Sequence, residues 1–147
     1  MKAKSGFTLV EILIVVVILG ILAAIVIPQF TEASTEAKLS SLCTDLQTVR
    51  SQIELYKVQH NDKLPGTQGP AFDQAMTMYS DIAGAVVATK DATHIYGPYL
   101  QKIPTNQFNN LNTVGLNGTA GDGSNGWEFN TTTGLFQADD NAAHAAL

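Results

Sequence analysis

From Phe7 to Ile27 the chain is apolar except for one charged position, Glu11. A run of about 21 residues at roughly 1.5 Å rise per residue spans about 30 Å, the thickness of a bilayer core. After Pro28 the pattern changes. Leu39, Leu42, Leu46, Val49, Ile53 and Tyr56 recur at steps of three and four, with Glu36, Ser40, Gln47, Glu54 and Lys57 across from them. That is a one-sided stripe on a helix, and it needs a partner. It sustains too few heptads for a coiled coil, so the expected partner is the chain's own C-terminal half. Pro28 removes a helical N–H and predicts a kink in the helix there. The helix should end near His60–Asp62, before Leu64-Pro65-Gly66. From Phe7 to His60 it would measure about 80 Å.

The remainder reads as short elements. Thr67–Pro70 is loop. Phe72, Met76 and Tyr79 predict a short amphipathic helix over Pro70–Ile82, closed by Gly84. Ala85–Thr93 fits no single pattern. Asn112–Leu116 reads as a strand, and Asn117–Asn125 as a Gly/Asn/Ser-rich loop. Trp127–Asn130 and Leu135–Ala138 flank a turn over Thr131–Gly134 and predict a β-hairpin. Asp139–Leu147 is polar and alanine-rich and is expected to fray. The pattern divides the chain into residues 1–6, an apolar helix over 7–29, and a head over 30–147. Within the head it predicts helix at 30–60, loop and short helix at 61–95, and a small sheet at about 96–138. Residues 139–147 form the tail.

Charge sharpens this picture. Lys2 and Lys4 precede the apolar run and orient the N-terminus toward the cytoplasm, with the bulk of the chain exported. The 147 residues suit one domain plus an anchor. Residues 1–6 hold two of the eight basic residues and none of the thirteen acidic ones, so without them the formal charge moves from −5 to −7. That disfavours nucleic acid as a partner, since phosphate binding needs a basic face. Cys43, the only cysteine, forms no intrachain disulfide, and its helical position reads as a small core hydrophobe. His60, His94 and His144 lack metal-ligand spacing, and neither a phosphate loop nor a G-x-S-x-G turn is present. The chain is therefore expected not to be an enzyme and to need no cofactor. Asn117, Asp122 and Asn125 offer oxygen to a calcium ion, but with one carboxylate among them they are weak candidates, and a flexible loop is the competing reading.

The stretch Gly6-Phe7-Thr8-Leu9-x-Glu11, followed by the apolar run and Pro28, resembles the leader of type IV prepilins and type II secretion pseudopilins. The resemblance implies cleavage after Gly6 by a prepilin peptidase on the cytoplasmic face, then N-methylation of Phe7. It implies an α+β pilin-like fold, with a long N-terminal helix, membrane-spanning in its first half, packed on a small antiparallel sheet. It also implies inner-membrane residence with a periplasmic head, and a filament in the periplasm or at the cell surface. The implied partners are further copies, minor pseudopilins and an inner-membrane assembly platform, with lipid around the precursor. Gly97–Pro104 resembles the segment that enters the sheet in major pseudopilins, although Gln107 follows Asn106 where those proteins commonly have proline. Their calcium loop has no recognisable acidic counterpart here. Many type IV pilins close a C-terminal loop with a cysteine pair, and its absence favours the major pseudopilin branch. A type IV pilin for adhesion, motility or DNA uptake remains the alternative, as does a signal-anchored exported domain that never polymerises.

Glu11 is the anomaly in the apolar run. A carboxylate near the bilayer centre costs roughly 2.5–3.5 kcal/mol, less near an interface. After cleavage, Phe7 presents a positive amine one helical turn from Glu11. In a staggered bundle of such helices, the amine of one subunit approaches Glu11 of its neighbour. Leaving either charge unpaired in low dielectric is costly, which makes the pair a register device. Pairing of Glu11 with its own amine is the competing arrangement.

Overall fold

A computed structural model describes residues 6–147. Lys2 and Lys4, on which the orientation rests, lie outside the described residues. The chain divides after Ala37 into two units. In the first, helix α1 (Leu9–Gln59) begins and runs through Pro28 without ending there. Every residue from Gly6 to Ala37 is exposed, including Phe7 and Phe30 at 83% and 72%. A Cβ added at Gly20 would meet nothing. Beyond Pro28 the Thr31 and Thr35 hydroxyls donate to the carbonyls of Ile27 and Thr31, so these polar side chains stay within the helix.

The second unit, Lys38–Leu147, is built on the last part of α1. Leu42, Leu46, Val49, Ile53 and Tyr56 are buried in one cluster with Trp127, Phe129 and Phe136. Each such side chain contributes about 1.5–3 kcal/mol when fully buried. Leu39, the first member of the stripe, is 37% exposed and stands outside that core. Cys43 is half-buried beside the stripe rather than within the core. The helix ends where Asn61 and Asp62 adopt positive φ, and the Asp62 N–H donates to the Lys57 carbonyl. His60 is fully buried, stacked on Tyr56 at 3.8 Å, and its Nε2 lies 3.0 Å from Ser80 Oγ.

Helix α2 (Phe72–Thr77) is shorter than the pattern over Pro70–Ile82 predicts. Its continuation is instead a small hairpin, β1 (Tyr79–Ser80) with β2 (Val86–Val87). Asp81 decides this: its carboxylate accepts from the N–H groups of Ala83 and Ala85, and a turn stabilised this way outcompetes another helical turn. Gly84, at φ 90°, serves that turn and not a helix end. Gly97–Pro104 supplies no strand. The amides of Tyr99 and Leu100 both donate to the Met76 carbonyl and cap α2, while Tyr99 and Ile103 pack into the core.

Three strands, β3 (Val114–Leu116), β4 (Trp127–Phe129) and β5 (Phe136–Ala138), form the main sheet in the order β3-β4-β5. β4 and β5 are the expected antiparallel hairpin, with Phe129 opposite Phe136. β3 runs parallel to β4, so the sheet is mixed rather than antiparallel. The reason lies in the loop Asn117–Gly126. It returns the chain to the starting end of β3, so that Trp127 lies beside Val114. The return is shorter than the dozen residues such a crossover ordinarily takes. It closes because Asn117, Gly121 and Gly123 adopt positive φ and because Gly126 has no side chain to collide with the Leu111 carbonyl.

The tail does not fray. A short helix, α3 (Ala142–Ala145), starts at Asn141, whose side chain accepts from the His144 N–H. Arg50 donates from Nε to the Phe136 carbonyl and from Nη1 to the Leu147 carbonyl. Asp139 is buried, and Asp140 bonds both His144 Nδ1 and the buried Asn106 amide.

Candidate processing and assembly site

Gly6, Phe7 and Thr8 precede α1 without regular structure, and no atom comes within 4 Å of a Cβ built at Gly6. Gly6 and Phe7, on either side of the expected cleavage point, are both exposed. Thr8 stands at the N-cap of α1. Its hydroxyl accepts from the Glu11 N–H at 3.2 Å and donates to Glu11 Oε2 at 2.9 Å. Glu11 Oε2 also accepts from the Thr8 backbone N–H at 2.8 Å. This reciprocal arrangement is a capping box. It satisfies the Thr8 and Glu11 amides and turns the carboxylate back toward the start of the helix.

The sequence reading singled out Glu11 and passed over Thr8. The signal was present, since threonine three residues before glutamate at the start of an apolar helix is the capping-box signature. One carboxylate oxygen carries both bonds. Oε1 accepts no hydrogen bond among the described residues. Pro28 lies nearly five turns further along α1 and shares nothing with this cap.

The calcium candidates do not converge. Asn117 Oδ1 accepts from the N–H and hydroxyl of Thr131. Asp122 Oδ1 accepts from the Ser124 N–H, and Ser124 holds its carboxyl below the usual range. The Asn125 carbonyl accepts from the Asn109 side chain at 2.7 Å, while the Asn125 N–H points at Asp139. Calcium requires six to eight oxygens aimed at one point. Here the loop aims N–H groups inward, so these residues do not fit the ion. Among the described residues, no group of three or more His, Cys, Asp or Glu is placed to hold a metal. Within the same range, α1 is the one helix long and apolar enough to cross a membrane.

The prokaryotic N-terminal methylation motif matches residues 1–27. The type II secretion system core protein G of Pseudomonas aeruginosa is 43% identical over 67 residues, which cover 46% of each chain. The protein of the same name from Aeromonas hydrophila is 26% identical over 109 residues, covering 74% of this chain and 71% of that one. A fimbrial protein of Pseudomonas aeruginosa is 41% identical over 54 residues, 37% of this chain and 35% of its own. The first of these alignments thus spans about half the length of the relative it matches. No solved structure gives a significant match.

Proposed function

We propose that this chain is a structural subunit of a pilus-like filament, and specifically the major pseudopilin of a type II secretion system. The observation that carries the reading is the carboxylate of Glu11, held by Thr8 at the start of an exposed apolar helix, inside the methylation motif. A lone membrane anchor gains a helix cap from that side chain but nothing from its charge, since glutamine serves in a capping box as well. A polymer gains from the charge, because each added subunit brings an amine on Phe7 that needs a counter-charge. In this reading the precursor sits in the inner membrane as a single pass, with its N-terminus cytoplasmic and its head periplasmic. A prepilin peptidase cuts after Gly6 and Phe7 is methylated. The mature subunit then joins copies of itself and minor pseudopilins at an inner-membrane assembly platform. Its role is structural, with no catalytic step of its own.

Co-expression with a prepilin peptidase tests the reading. Intact mass and N-terminal analysis should find a mature chain beginning at N-methyl-Phe7. A terminus left at Met1, or cleavage near Ala33, would overturn it. The similarity to a fimbrial protein supports a second reading, a type IV pilin. Deleting the gene separates the two: loss of protein secretion supports the first, and loss of surface fibres with adhesion, motility or DNA uptake supports the second.

A further inference from the structure

Asp139 follows β5 directly and is 1% exposed. Its Oδ1 accepts from the N–H groups of Gly121 at 2.7 Å and Asp122 at 3.2 Å, and its Oδ2 accepts from Asn125 at 2.8 Å. The Asp139 carbonyl accepts from Gly123 at 2.7 Å, and the Asp139 N–H donates to the Gly126 carbonyl at 3.2 Å. One residue thus makes five hydrogen bonds to the loop that turns β3 back onto β4.

We infer that the Asn117–Gly126 loop is closed by the Asp139 carboxylate acting as an internal anion, so that the head folds without a divalent cation. The inference concerns the head alone and holds whatever the chain assembles into. It rests on the polarity of the loop. Successive backbone N–H groups in a glycine-containing turn form a concavity that takes an anion. A cation at the same place would face those N–H groups and would need oxygens that are committed elsewhere.

Two further features support closure from this side. A Cβ at Gly121 would approach Ala142 N and Cα to 2.7 Å, so the loop lies against the start of α3 and leaves no space between them. Asp140 anchors the next residue by accepting from the Asn106 side chain at 2.9 Å, and Asn106 also donates to the Gly126 carbonyl at 3.0 Å. The residues after β5 therefore hold the second half of the loop, Gly121 to Gly126, while Thr131 and Glu128 hold Asn117 and Gly118. Glu128 is a further carboxylate beside the loop. It sits close enough to Asp139 and Asp122 to feel their charge, but its Oε1 is taken by the Gly118 N–H.

The test uses the full chain in detergent, with fluorescence of Trp127, the only tryptophan and a buried one, reporting the head. Wild type should melt at the same temperature in excess calcium and in excess chelator. A site filled at a hundredfold excess over its dissociation constant would instead raise the melting temperature by about 10 °C or more. Asp139→Asn places an N–H2 group against loop N–H groups and should lower the melting temperature by roughly 5–10 °C in both conditions. Asp122→Asn should change little in either. Amide exchange in wild type gives an independent reading if Asp139→Asn fails to fold. The amides of Gly121, Asp122 and Asn125 should be protected in chelator. A calcium-dependent rise of about 10 °C in wild type, protection of those amides only with calcium, or an Asp139→Asn melt equal to wild type would each overturn the inference.

Discussion

Glu128 lies on β4 opposite Gly115 of β3, where a side chain at 115 would collide with its carboxylate. Burial, followed by the charges of Asp139 and Asp122, raises its pKa above the ordinary glutamate value of 4.5. A carboxyl with a raised folded pKa favours the protonated state on folding. The stability it contributes is full below 4.5 and is lost as the pH rises through the folded value. Glu128→Gln keeps an acceptor for the Gly118 N–H and removes the titration. It should therefore melt a few degrees above wild type at neutral pH and level with it in acid, read by Trp127 fluorescence. An equal melt at neutral pH would show that the buried carboxylate costs nothing there. Residue-level features were unevenly legible in the sequence. Glu11 was visible because one charge interrupts an apolar run. Asp139 and Asn106 were not, because the side-chain bonds that tie them to the loop and to Asp140 span 14 to 34 positions, and no local spacing records such bonds.

At the scale of elements, the stripe on α1 decides what the head can tolerate. Leu46 is 1% exposed among Trp127 and Phe136, whereas Leu39 belongs to the same sequence pattern and is 37% exposed. Leu46→Asp buries an unpaired charge and should destabilise the head by about 3–5 kcal/mol, enough to unfold a domain of ordinary stability. Leu39→Asp should shift the melt by less than about 1 kcal/mol. Thermal melts of the two variants check this, and equal loss from both would mean that the core extends to Leu39. Periodicity gave the helix and its apolar face, and alternation with turn residues gave the β4–β5 hairpin. It failed where a side chain captured the backbone. Asp81 pulled the end of the expected helix into a β-turn, and Arg50 with Asp140 tied down a tail whose composition reads as mobile. The parallel pairing of β3 escaped notice because it depends on a loop closed from elsewhere in the chain.

For the whole molecule, the unresolved demand is the exposed apolar surface from Phe7 to Phe30. On the function proposed above, lipid would cover it in a precursor and neighbouring helices in a filament. Glu11 fits these two states differently. In lipid its carboxylate is a cost that the Thr8 cap only reduces, so removing it should not impair insertion. In a filament the Phe7 amine of an adjoining subunit needs a counter-charge, and an unpaired charge penalises misregistered neighbours. Two substitutions separate the cap from the charge. Glu11→Gln keeps the capping box, since glutamine serves at that position, but it loses the charge. Thr8→Val breaks the box and leaves the charge in place. Both variants should be inserted and cleaved after Gly6. Glu11→Gln should accumulate as mature membrane-held subunit with little sheared filament, and should enter filaments in part when mixed with wild type. Thr8→Val should assemble to a greater extent than Glu11→Gln. Processing and filament yield, quantified side by side, decide between them. Normal filaments from Glu11→Gln would refute the charge pairing, and failure of cleavage would assign Glu11 to recognition by the peptidase. If Thr8→Val fails where Glu11→Gln succeeds, helix capping is the property that assembly requires.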